Sequence, residues 1–81
     1  MNSIFQKTEN LTISPVVLGE RILKILQKEK NHKISILSLF DQINKNIKIT
    51  PKILYEALIF LYTLNLIDFH EPYIVLKNET S

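Results

Sequence analysis

Apolar residues recur along this chain at two different periods, and the change of period marks out its elements. In "SPVVLGERILKILQKEK", residues 14–30, Leu18, Ile22, Leu23, Ile25 and Leu26 fall on one face at about 100° per residue, with Glu20, Arg21, Lys24, Gln27 and Lys28 opposite. That spacing predicts an amphipathic helix. Ser14 is placed to cap it, and Pro15 suits the first helical position, where a missing N–H costs nothing. Gly19 lies inside the apolar arc. A helix-interior Gly costs about 1 kcal/mol against Ala, so its expected use is to let a neighbouring helix come close. "KNHK" ends the helix, with Asn31 as its expected C-terminal residue.

A second helical pattern, "SILSLFDQINKN", covers residues 35–46. Ser35 caps it, and Ile36, Leu39, Phe40 and Ile43 make a narrow stripe that leaves Leu37 to one side. Lys33 and Ile34, just before it, suit a very short strand. The third pattern, "TPKILYEALIFLYTLN", repeats the cap-plus-proline start at Thr50 and Pro51. Asn65 can take the left-handed conformation that closes many helices. Two short runs follow, "LIDF" and "YIVL", with His70, Glu71 and Pro72 between them, and these predict a hairpin. Residues 1–13 contain Ile4, Phe5, Leu11 and Ile13 without either period, and are expected to form an arm ordered only where it docks.

The order is helix, short strand, helix, helix, hairpin. It predicts a mainly α, α+β fold: a winged helix-turn-helix with three helices and a small C-terminal β-hairpin wing. The expected division is an N-terminal arm over 1–13, the winged-helix domain over 14–77 and a tail over 78–81. A hairpin this small is marginal alone. It should add its strands to the stub near Ile34 and lay Ile67, Phe69, Ile74 and Leu76 over the helices.

In a helix-turn-helix the third helix ordinarily meets DNA, and needs polar and basic side chains on its outer face. Here Leu54, Ala57, Leu58, Leu61 and Leu64 centre a buried arc, and Lys52, Glu56 and Thr63 form a narrow polar stripe with Ile59 at its edge. Ile53 and Phe60 take one shoulder, Tyr55 and Tyr62 the other. One Lys offset by one Glu makes a poor groove-reading surface, and Asp68 and Glu71 on the wing would repel phosphate. The one basic segment is "KNIKITPK", with Lys45, Lys48 and Lys52 and no acid. It reads either as a solvated turn or as a weak candidate for DNA phosphate contact. The apolar shoulders read either as core covered by the arm and the wing or as a protein interface. The candidate interface residues are Ile53, Tyr55, Ile59, Phe60, Tyr62 and Tyr73, the tyrosines adding area with a polar tip.

Composition sharpens this picture. The 81 residues make one domain, 46% hydrophobic, with 13 Ile and 12 Leu, so part of the apolar surface is expected to need a partner. A net charge of +2 is too balanced to imply nucleic acid by itself. No apolar run approaches the roughly 18 residues of a membrane span. The N-terminus lacks the basic-then-apolar order of a signal peptide, and the absence of Cys fits a reducing cytoplasm. His32 and His70 stand alone, Glu71 is only a turn neighbour of His70, and the carboxylates are scattered singly. We therefore expect no enzyme, no metal and no cofactor.

With the elements placed, "LGERILKILQKE" in the first helix and "LYEALIFLYTLNLIDF" running into the wing resemble the middle component 6 proteins of bacterial ABC-three-component systems. The resemblance covers about Ile13 to Leu76, and Asn65 stands where that family usually has Gly. Other small winged helices, including those accompanying SMC-type complexes, share the pattern of the second segment. The resemblance implies a non-catalytic subunit of an antiviral or anti-plasmid defence complex. There it would join or regulate an SMC- or Rad50-like ABC ATPase and an effector subunit. It leaves open a homodimer, DNA contact within the complex, and the alternative of a small DNA-binding transcriptional regulator.

Overall fold

A computed structural model describes residues 13–77, so most of the expected arm and the expected tail lie outside it. The described residues form three α-helices and three short strands: α1 (Pro15–Lys28), β1 (Lys33–Ser35), α2 (Ile36–Asn46), α3 (Pro51–Thr63), β2 (Ile67–His70) and β3 (Tyr73–Leu76). Each helix start is made by the hydroxyl the sequence places there. The Val17 amide donates to Ser14 Oγ at 3.2 Å, Ser38 to Ser35 Oγ at 3.1 Å, and Ile53 to Thr50 Oγ1 at 3.2 Å. Each bond satisfies an N–H that has no partner within its own helix.

The helix ends differ from expectation in one place. α1 stops at Lys28 with Glu29 as its cap, short of Asn31. A single tight turn, Lys30–His32, follows, in which Asn31 (φ 64°) and His32 (φ 53°) are left-handed and turn the chain into β1. α3 closes as expected on left-handed Asn65 (φ 66°). The Leu66 amide donates to the Leu61 carbonyl at 3.0 Å and Asn65 to Tyr62 at 2.9 Å, the paired bonds of a Schellman cap. This turn removes Leu64 from the helical path. Leu64 is 51% exposed, against its expected place in the buried arc.

The sheet is antiparallel, in the order β1–β3–β2. Ile34 lies opposite Ile74, and Ile74 opposite Phe69, so one apolar row crosses all three strands on the core side. His70 belongs to β2 and pairs with Tyr73, which leaves Glu71 and Pro72 alone in the turn. The wing survives as the hairpin completes a three-stranded sheet and seals the helices, with Ile67 and Ile74 fully buried.

The core joins Leu18, Ile22 and Leu26 of α1, Leu39 and Ile43 of α2, and Leu54, Ala57, Leu58 and Leu61 of α3 to these strand residues. No polar or charged residue is buried among the described residues. Gly19 is buried where α1 crosses α3. A Cβ added there would lie 3.0 Å from Leu61 Cδ2 and 3.5 Å from Phe60 Cδ2. The close approach inferred from sequence is therefore present, and its partner is α3. The α2–α3 connection is held by Asn44, whose Oδ1 accepts the Ile49 amide at 3.0 Å, while Ile49 is buried beneath it.

Candidate protein-docking surface

The helix order and sheet register make this a winged-helix layout, in which α3 occupies the position of the recognition helix. Its polar stripe is engaged with itself. Lys52 Nζ sits 3.9 Å from Glu56 Oε2, one turn on, and the Thr63 hydroxyl donates to the Ile59 carbonyl at 2.8 Å. Lys45 and Lys48 are exposed and have no carboxylate within 4.0 Å among the described residues.

The six residues nominated as an interface divide into three groups. Tyr55, Ile59 and Tyr62 are 59%, 40% and 50% exposed. They stand at i, i+4 and i+7, so they adjoin along one strip of α3. The Tyr62 ring meets Phe69 of the wing at 5.3 Å between centroids, tilted 45°, and carries this strip onto the hairpin. Ile53 and Phe60 are half-buried against the core. Phe60 lies beside Gly19 and helps close the α1–α3 seam. Tyr73 stands apart from both groups. Strand alternation turns it away from Ile74 and the helices, and Lys33 Nζ lies 4.7 Å from its ring centroid. The continuous exposed apolar surface is thus the tyrosine shoulder of α3, not the whole girdle of the helix.

Sequence reasoning passed over Leu37. It is 78% exposed on α2 and, with Phe40, faces Tyr55 and Leu58 of α3 across an open groove of about 520 Å³. Its position off the α2 stripe was the available signal: an apolar side chain outside the core arc must either meet a neighbour or be left in water. A second cleft of about 390 Å³ between α1 and α2 is lined by Arg21, Lys24, Lys28, Glu20, Gln42 and Asn46, among others. α1 therefore brings three cations to this cleft, Arg21, Lys24 and Lys28, where α3 carries one, Lys52.

The wing tip carries a contact of His70 Nε2 to Asp68 Oδ2 at 3.5 Å. Among the described residues no three His, Asp or Glu side chains come together as a metal site would require. No helix of the described residues is long and apolar enough to cross a membrane. Compared with protein-family models, with curated proteins and with solved structures, the chain matches none.

Proposed function

We propose that this winged helix is a non-catalytic accessory subunit that works in the cytoplasm through protein–protein contacts. The observation that carries the reading is the tyrosine shoulder, where Tyr55, Ile59 and Tyr62 expose apolar area on the helix that would otherwise present cations to DNA. Phosphate neutralisation needs several Lys or Arg on the docking face. On α3 the one cation of the outer stripe, Lys52, already leans toward Glu56. Aromatic residues with a polar tip suit protein interfaces, because they bury area at a low cost in side-chain entropy.

The resemblance of residues 18–29 and 54–69 to middle components of ABC-three-component systems supplies the setting. In it the chain bridges or regulates an SMC-like ABC ATPase and an effector in defence against phage or plasmids. The test is co-expression of the tagged chain with the genes on either side of its own. A stable complex with a large ATPase, lost on Ile59→Asp, supports the reading. Salt-sensitive binding of duplex DNA by the chain alone, with no ATPase recovered, overturns it.

That second outcome would favour a small winged-helix transcriptional regulator. The cations lining the α1–α2 cleft, and exposed Lys45, Lys48 and Lys52, are the features that speak for it. Their replacement by Ala would then abolish DNA binding and leave the fold intact.

A further inference from the structure

The groove between α2 and α3 is a second surface, distinct from the tyrosine strip except at Tyr55. Its floor is apolar: Leu58 is buried and Phe40 half-buried, Leu37 and Tyr55 form the walls, and Pro51 and Lys52 stand at the end where α3 begins. The geometry points to this groove as the seat of an amphipathic α-helix from a partner protein. Two apolar side chains one turn apart would fill it, with carboxylates along the edge facing Lys48 and Lys52. The inference rests on the reading of the chain as a protein-docking subunit and names the partner chemistry.

Three observations select that occupant. First, the floor is side-chain carbon of Phe40, Leu54 and Leu58, so it offers an extended segment no row of backbone partners. A strand laid there would leave its own N–H and C=O groups facing hydrocarbon, whereas a helix satisfies its own. Second, each side presents apolar residues one turn apart, Leu37 and Phe40 on α2 and Tyr55 and Leu58 on α3, the i, i+3 spacing between which a helical ridge packs. The groove is also open, with Leu37 and Tyr55 mostly in solvent, unlike a closed small-molecule cavity. Third, one end is positive. Lys52 lines it, exposed Lys48 lies in the connection leading to Pro51, and the N-terminal turn of α3 adds partial positive charge. Glu56 offsets only Lys52, at 3.9 Å.

The test is a ¹⁵N chemical-shift titration of the full chain with two synthetic amphipathic peptides. Both carry leucines at i, i+4 and i+7; one has glutamates flanking that stripe and the other lysines. The expected result is shifts centred on Leu37, Phe40, Tyr55 and Leu58, with the glutamate peptide bound about tenfold more tightly. Leu37→Asp should weaken it at least about tenfold. Because Leu37 is so exposed, that variant should keep the wild-type spectrum elsewhere. Lys52→Glu should erase the preference between the peptides.

Shifts elsewhere, no shifts at millimolar peptide, or equal binding of the two peptides would overturn the proposal. So would binding seen only after residues 1–12 are removed, which would make the chain's own arm the occupant. Groove shifts that grow with protein concentration alone would overturn it too, by making the occupant a second copy. The peptide arm needs no ATPase, so it decides the groove even if the complex is never found. If Leu37→Asp assembles with the ATPase normally while Ile59→Asp does not, the groove assignment falls and the accessory-subunit reading stands.

Discussion

Gly19→Ala sets two effects of known sign against each other on one methyl group. In an exposed helix the change would stabilise by about 1 kcal/mol, since Gly gives up more backbone freedom on folding than Ala does. Here the new methyl would sit 3.0 Å from Leu61 Cδ2 and 3.4 Å from Leu61 Cγ. Leu61 is buried in the core and cannot swing into solvent, and Phe60 blocks the other side at 3.5 Å. Forcing a methyl into a packed seam costs about 1–3 kcal/mol. The net expectation is a destabilisation of about 0–2 kcal/mol, centred near 1. In a domain of this size each kcal/mol lowers Tm by about 4–8 °C. The assay is thermal and urea unfolding followed by circular dichroism, run as a double-mutant cycle with Leu61→Ala. In the Leu61→Ala background the obstruction is gone, so Gly19→Ala should recover its stabilising propensity of about 1 kcal/mol. A rise in Tm on Gly19→Ala in the wild-type background would refute the reasoning. The same change in Tm in both backgrounds would show that the α1–α3 seam does not demand glycine.

Other substitutions probe the remaining elements. Asn65→Ala should cost about 1 kcal/mol, because Ala tolerates φ 66° poorly; Asn65→Gly should be neutral or stabilising, read from the urea midpoint. Thr50→Ala removes the acceptor of the Ile53 amide and should cost about 0.5–2 kcal/mol by the same measurement. Ile59→Asp, at a position 40% exposed, should cost about 1–2 kcal/mol and leave the chain folded, whereas Phe60→Asp, placing a charge in the α1–α3 seam, should unfold or strongly destabilise it. If both variants fold equally well, the division of α3 into an exposed strip and a seam is wrong.

Much of the architecture was legible in the chain because its signals are local. Ser14, Ser35 and Thr50 cap their helices with their own hydroxyls, and Pro51 can begin a helix but not continue one. Asn65 closes α3 because a left-handed residue is needed there, whatever packs around it. Local rules also carried the burial of Leu18, Ile22 and Leu26, since a helix with one apolar face has one way to hide it. The end of α1 was harder: "KNHK" marks a stop, but two left-handed residues in succession depend on where β1 must pair.

The candidate surface was only half legible, and the reason is geometric. A helical wheel gives the angle of Phe60 and Tyr62 about the axis of α3, and on that axis they are symmetric shoulders. It cannot say that α1 crosses close on the Phe60 side, through Gly19, while on the other side the Tyr62 ring meets Phe69 of the wing and stays half in solvent. Likewise Leu37, off its stripe, and Tyr55, on a shoulder of α3, become one groove only when α2 and α3 are set side by side. The sequence by itself determined where the helices begin, where α2 and α3 close, which face of each is greasy, and that a short hairpin follows the last helix. Those choices involve residues within a few positions of one another. Tertiary structure decided which shoulder of α3 is core and which is surface. That choice depends on how close another axis passes, a quantity set by residues some 40 positions away in the chain.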